Sequence, residues 1–292
     1  MHMGTEATKM PSQDHEARET VGSPLRYPGG KFYALKYILP FVSHVKHDEY
    51  REPFLGGGAV FFAKKKVTHN WLNDLDANLI SLYGVMADPE MRTEIISMLS
   101  REEASRSRHR EVKQLDPRTL VESAFRTYYL NRTSFSGILN NPAWGYRPEN
   151  SAPPKRWGEK IATAGRKLEC VKLSAVDFEE VLDTPPVGTN LLYYLDPPYF
   201  GADQKRAYSK AFKLEDHLRL ERRLRSMRHS FVLSYDDHPE IRRLYHWANI
   251  YERSWYYNTA NSRGEARIVG LELIITNFKV PEVKQTKIED AF

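Results

Sequence analysis

Apolar residues recur in alternating rhythms over the first third of the chain. Leu35, Ile38 and Leu39 share one helical face, which predicts a helix over 32–39 stopped by Pro40. A short strand-like run over 50–55 leads into Gly56-Gly57-Gly58, and helical spacing resumes over 59–65. A second strand over 67–73 ends at Asp74, and a further helix covers 77–86. Strand, helix, strand, helix is the order of a parallel sheet with crossover helices. The rhythm then breaks. Residues 88–165 carry helical patterns at 91–99 and 120–130, then a loop-rich stretch with little apolar periodicity. Residues 140–157 within it hold four prolines and two tryptophans. This region is expected to be an inserted subdomain. Sheet-like runs return at 168–173 and 191–195. The second is continuously apolar, as a strand buried on both faces must be. A helix over 214–227 and strands over 231–235, 249–256 and 268–278 follow.

Length and composition narrow the setting. A chain of 292 residues allows roughly two domains, or one with an insertion, at about 150 residues per domain. The pattern favours the latter: one α/β domain built from residues 23–87 and 166–280, interrupted by 88–165, with polar tails at 1–22 and 281–292. The single cysteine, Cys170, excludes an intrachain disulfide framework and a Cys-rich metal site. It is expected to be a small core residue. No apolar run approaches the roughly 18 residues of a membrane span, and residues 1–22 lack an apolar signal core. A cytoplasmic protein is expected, with no membrane partner and no metal.

Charge changes the picture through its position. There are 43 Lys+Arg against 38 Asp+Glu, a formal net charge of +5. Residues 203–230 alone hold nine Lys/Arg, Lys205 and Arg206 among them, against four acids. A positive field there suits a polyanionic partner; a solvated basic helix face is the plain alternative.

Five motifs carry candidate chemistry. In Glu52-Pro53-Phe54-Leu55-Gly56-Gly57-Gly58 a strand runs into glycines and a helix, so backbone N–H groups can approach a nucleotide-like ligand. Phe61 occupies the third glycine position of the dinucleotide fingerprint, so that fingerprint is absent. Asp74 follows Gly58 by 16 residues, near the roughly 20-residue spacing of an acid that binds ribose hydroxyls. Asp76 suits a helix cap. Asp196-Pro197-Pro198-Tyr199 directly follows the buried run 191–195. Two prolines there fix the backbone and leave carbonyls free to accept. A carboxylate, a carbonyl and an aromatic ring thus meet at the edge where ligands of open α/β sheets bind. Such a cluster accepts two hydrogen bonds from a planar amine while a ring stacks on it. Arg26-Tyr27-Pro28-Gly29-Gly30-Lys31 is no P-loop, because Leu25 and Phe32 stand where glycine and Ser/Thr are required. Asp177-Phe178 ends a strand-like run, where it either touches a cofactor base or caps a helix.

In order, these motifs, with Leu72-Asn73-Asp74-Leu75-Asp76 and Tyr129-Leu130-Asn131-Arg132-Thr133-Ser134-Phe135-Ser136-Gly137, resemble the Dam-like family of adenine-specific DNA methyltransferases. The resemblance runs from about residue 23 to 278. It implies a Rossmann-like methyltransferase fold: a mostly parallel α/β sheet with helices on both faces and an inserted, mainly helical target-recognition subdomain. It further implies S-adenosylmethionine as cofactor and double-stranded DNA as partner. Tyr27, Lys31, Phe54, Gly56 and Gly58 are then expected to shape the cofactor pocket, Asp74 to hold the ribose, and Asp177 and Phe178 the cofactor's adenine. Asp196, Pro197, Pro198 and Tyr199 are expected to hold a flipped-out target adenine. Arg132, Phe135, Asn140, Asn141, Arg147, Lys205 and Arg206 are the candidate DNA contacts. Ser136 stands where the family's namesake has asparagine, so the recognition sequence stays open. The alternatives are methylation of another planar amine (cytosine N4, RNA adenine, protein glutamine) and a catalytically silent nucleic-acid-binding module.

Overall fold

Leu192 and Tyr194 face one layer of helices, while Leu191, Tyr193 and Leu195 face the other, and all five are buried. They form β4 (Leu191–Leu195), the fourth of five strands in a parallel stretch in the computed structural model, which describes residues 21–200, 212–256 and 269–281. The other strands are β1 (Glu49–Glu52), β2 (His69–Asn73), β3 (Lys172–Ser174), β5 (Ser230–Asp236), β6 (Asn249–Tyr256) and β7 (Val269–Thr276). They form one sheet in the order β3-β2-β1-β4-β5-β7-β6. Pairing is parallel from β3 to β5, and β7 runs antiparallel to both β5 and β6. The expected mostly parallel sheet with helices on both faces is what the chain forms.

One face carries α1 (Leu35–His44), α2 (Ala59–Ala63), α3 (Ala77–Ala87), α4 (Pro89–Ser100), α5 (Arg106–Gln114), α6 (Leu120–Thr133) and α7 (Trp157–Leu168). The other carries α8 (Phe178–Asp183), α9 (Leu214–Arg225) and α10 (Pro239–Leu244). Helix starts follow local chemistry. Asp76 accepts from the Asn78 and Leu79 N–H groups at the start of α3, and Asp88 does the same for α4. Thr119 and Glu122 form a reciprocal capping box on α6. Each cap contributes about 1 kcal/mol. Among the described residues no helix is long and apolar enough to cross a membrane.

Several expectations are corrected. Pro40 does not stop the first helix: a short 3-10 turn (Lys31–Ala34) leads into α1, which continues past Pro40 to His44. The proline faces solvent, and burial of Ile38, Phe41 and Val42 offsets its missing N–H. The run at 168–173 is not one strand. Leu168 ends α7, Cys170 turns the chain with φ 61°, and β3 begins only at Lys172. Cys170 is therefore exposed at a helix end rather than in the core. The loop-rich reading before it misses α7, whose Trp157, Ile161, Ala164 and Leu168 are fully buried at helical spacing. Gly165 lets α7 come close to α3, since a Cβ there lies 2.2 Å from the Met86 carbonyl oxygen. Val21, placed in the N-terminal tail by its composition, donates its N–H to the Phe62 carbonyl. Residues 1–20 of that tail, and all but the first residue of the C-terminal one, lie outside the described residues.

Candidate active site

β1 hydrogen-bonds to β2 on one side and β4 on the other, so their following connections leave in opposite directions. A crevice opens at such a point, at the carboxyl ends of the strands. Here it is a cavity of about 410 Å³. Its floor is the glycine turn after β1. Gly56 and Gly58 have φ of 48° and 64°, a conformation side chains disfavour. The Tyr27 ring lies against Gly56, where a Cβ comes within 2.9 Å of it. Asn73, buried at the end of β2, latches three loops: its amide donates to the Pro53 and Val176 carbonyls, and its oxygen accepts from the Val176 N–H and Ser174 hydroxyl. The Asp74 carboxylate accepts from the Gly56 N–H at 2.8 Å and the Asp76 N–H at 3.0 Å. Burial nonetheless pushes its pKa up to about 6. Phe54, Phe178 and Phe212 pack ring to ring along another part of the wall, with centroids 5.4–5.7 Å apart.

Asp196 lies where β4 ends. Its Oδ1 accepts from Lys31 Nζ at 2.8 Å and from Ser234 Oγ at 2.9 Å. Among the described residues Oδ2 carries no hydrogen bond. Burial disfavours charge on Lys31, but Asp196 and Glu272 outweigh it and hold the Lys31 pKa above its usual value. The same ammonium sits 4.6 Å from the centre of the Tyr199 ring. The Tyr199 hydroxyl donates to Glu272 at 2.7 Å, and Glu272 is 1% exposed.

All eight expected cofactor residues (Tyr27, Lys31, Phe54, Gly56, Gly58, Asp74, Asp177 and Phe178) line this one cavity, together with Asp196 and Pro198. Pro197 and Tyr199 adjoin it without lining it. Asp177, besides lining the cavity, is the cap of α8, accepting from the Glu179 N–H. The expected DNA contacts separate. Phe135 is 56% exposed, and Asn140, Asn141 and Arg147 are exposed on the same loop-rich stretch. Asn141 accepts from Lys113 Nζ. Arg132 is buried in the last turn of α6 and does not project from that stretch. Lys205 and Arg206 lie outside the described residues. The basic helix over 214–227 needs a correction as a source of positive field. Arg219 meets Asp177, Glu179 and Asp216, Arg223 meets Glu179 and Asp183, and Arg225 meets Glu221. Acids brought in by α8 neutralise much of it.

Four residues escape sequence reasoning. Glu52 lines the cavity, accepts from the Tyr50 hydroxyl, and has its pKa pushed up to about 8, chiefly by burial. Its place before the Pro-Phe-Leu-Gly turn was the one available signal. Asn73 stands inside the Leu72–Asp76 motif, but its role, like those of Ser234 and Glu272, comes from partners distant in sequence.

A family model described as D12 class N6 adenine-specific DNA methyltransferase matches residues 27–259. The chain is similar to Type II methyltransferase M1.LlaDCHI of Lactococcus lactis subsp. cremoris, at 28% identity over 280 residues, covering 87% of this chain and 94% of that protein. It is similar to Type II methyltransferase M.CviBI of Paramecium bursaria Chlorella virus NC1A at 24% identity, covering 87% and 98%. A DNA N-6-adenine-methyltransferase of Escherichia phage P1 matches at 24% identity over 79% of this chain and 32% of that protein.

Proposed function

The chain belongs to the D12 class of N6 adenine-specific DNA methyltransferases, and from that premise we propose that it takes the methyl group from S-adenosylmethionine and places it on an adenine turned out of double-stranded DNA. The relatives named type II methyltransferases support assigning it to that type. The observation that carries the reading is the position of Asp196, on the wall of the same cavity as the glycine turn and Asp74.

The cavity suits the cofactor. Its volume falls in the range of small-molecule sites. Asp74 offers carboxylate oxygens for ribose hydroxyls, the Phe178 ring and the cap residue Asp177 suit an adenine, and Tyr27 with Gly56 and Gly58 leaves backbone open to close approach. Glu52 places a buried carboxyl where a positively charged donor gives it a counter-charge. When bound, S-adenosylmethionine supplies an electrophilic methyl group.

The chain's own residues then act on the target base. The exocyclic amine of adenine is a poor nucleophile because its lone pair is delocalised into the ring. Asp196 and the Pro197 carbonyl accept its two N–H groups, which concentrates electron density on nitrogen as it pyramidalises. That stabilisation grows toward the transition state and so lowers the barrier. Lys31 and Ser234 hold Oδ1 of Asp196, which fixes the carboxylate and leaves Oδ2 for the amine. Tyr199 stacks on the base, anchored by Glu272. A base within a duplex cannot reach this pocket, so it leaves the stack. Residues 88–165, with Phe135, Asn140, Asn141 and Arg147 exposed, recognise the surrounding sequence.

The test uses methyl-labelled S-adenosylmethionine with duplex DNA, followed by digestion to nucleosides. Label on N6 of adenine is expected, with brightening of 2-aminopurine placed at the target position. Label confined to cytosine, RNA or protein refutes the proposal.

A further inference from the structure

The strap before the first helical turn crosses the end of α6, and three cations gather there without an anion among the described residues. The Arg26 N–H donates to Asn131 Oδ1 at 3.0 Å, and the Asn131 amide donates back to the Arg26 carbonyl at 2.7 Å. This two-way clasp fixes Arg26 beside Arg132, the next residue of α6. Arg132 is 7% exposed. Its Nε and Nη1 of Arg26 are sealed from solvent and have no hydrogen-bond partner among the described residues. The neighbouring Tyr128 hydroxyl, also buried, has none either. Lys160 lies across on α7, at the exposed rim, with Arg156 nearby.

Like charges so placed oppose one another. Burial first, then Arg132, lowers the pKa of Arg26. Burial, then Arg132 and Arg156, lowers that of Lys160. Among the described residues none of Arg26, Arg132 and Lys160 forms an ion pair, and Arg156 reaches Glu159 only at 4.0 Å. The C-terminal dipole of α6 favours Arg132, but one helix end does not account for three cations and their orphaned donors. Buried charges are ordinarily paired, and strained charge clusters mark functional sites.

We infer that Arg26, Arg132 and Lys160 form a seat for one backbone phosphate of the DNA substrate, with Arg132 at its floor. A phosphodiester oxygen supplies the missing counter-charge and acceptors for the guanidinium donors. Arg132 thus positions the duplex and reads no base, which separates it from the exposed loop residues beyond Phe135. The inference rests on the DNA-methylating reading.

Fluorescence anisotropy with two duplexes of unrelated sequence, over a range of salt concentrations, tests it. Wild type, Arg132→Gln and Lys160→Gln are compared. Each substitution is expected to weaken both duplexes equally, by several-fold. The slope of log affinity against log salt is expected to fall by about 0.9 per lost contact. Arg132→Gln is also expected to melt no lower than wild type, because it relieves repulsion. Lys160→Gln, on the helix surface, keeps the test valid if the buried substitution disturbs folding. Wild-type affinity and slope in both variants overturn the seat, while leaving methyl transfer to DNA intact as a reading. A loss confined to one duplex makes Arg132 a base reader and overturns it equally. Wild-type protein that neither binds nor methylates DNA overturns the seat and the reading together.

Discussion

Opposite faces of the sheet carry two arginine groups with opposite surroundings. On α9, Arg219, Arg223 and Arg225 each meet at least one carboxylate. Near α6, Arg26 and Arg132 meet each other and, among the described residues, no acid. Counting charges along the chain marks the first group and passes over the second. What distinguishes a binding surface is unmet charge, and that depends on which elements the fold brings alongside. The same contrast runs through the cavity. Lys31 is met by Asp196, Glu272 by the Tyr199 hydroxyl, and Asp74 by two backbone N–H groups. Removing one partner at a time shows which of these pairings serve chemistry and which serve structure.

Asp196→Ala has the largest expected effect. It removes the amine acceptor and leaves Lys31 buried without its partner. Methyl transfer is expected to fall by at least about 10³-fold, with donor binding retained in calorimetry; turnover near wild type sinks the assignment. Next comes Glu272→Ala. Loss of the Tyr199 anchor is expected to lower the transfer rate by about tenfold or more, the scale of a hydrogen bond to a charged group. Tyr199→Phe should match it, Glu272→Gln should restore most of the rate, and the Glu272→Ala, Tyr199→Phe pair should show strong non-additivity. Additive losses show that the two residues act separately.

A smaller effect is expected from pH. Asp74 titrates near 6, above its ordinary value, so it is ionised above that pH and protonated below it. Protonation removes acceptor capacity, so affinity for S-adenosylmethionine should weaken as pH falls from 7.5 to 5, and Asp74→Asn should remove the step centred near pH 6. A flat wild-type profile refutes the role given to Asp74. Smallest is Arg219→Gln. Partly exposed ion pairs are worth up to about 1 kcal/mol, so a slight drop in melting temperature is expected with the salt slope of DNA binding unchanged. A slope that falls as it does in Arg132→Gln removes the distinction between the two arginine groups.

The sheet was legible where burial is two-sided or strictly periodic. The run 191–195 coincides with β4, and 249–256 with β6. Local rules failed where tertiary contacts decide. α5 buries only His109 and Val112, too few for a periodic signal. α7 is hidden by its two glycines and the prolines before it, one glycine being needed for the close approach to α3. The cavity wall was legible because its residues sit in short motifs at strand ends. Asn73, Ser234 and Glu272 were not, since each works through a partner from another strand or loop. Arg132 was named among the DNA contacts together with the loop residues beyond it, and that grouping does not show its burial, because its own helix, rather than the loop after it, sets that burial.

The pairing of β1 with β4 has a consequence for how the chain is made. Arg51 and Tyr193 are register partners 142 residues apart. A nascent chain that has emerged only as far as α7 offers β1 the neighbour β2 and no other parallel partner at its open edge. The middle of the sheet, and with it the crevice, closes only after β4 has left the ribosome. Long-range parallel pairing of this kind is slow and leaves strand edges exposed meanwhile. The helices between α3 and β3 thus have time to assemble before β4 and Asp196 arrive, so the crevice is completed late in the chain's own synthesis.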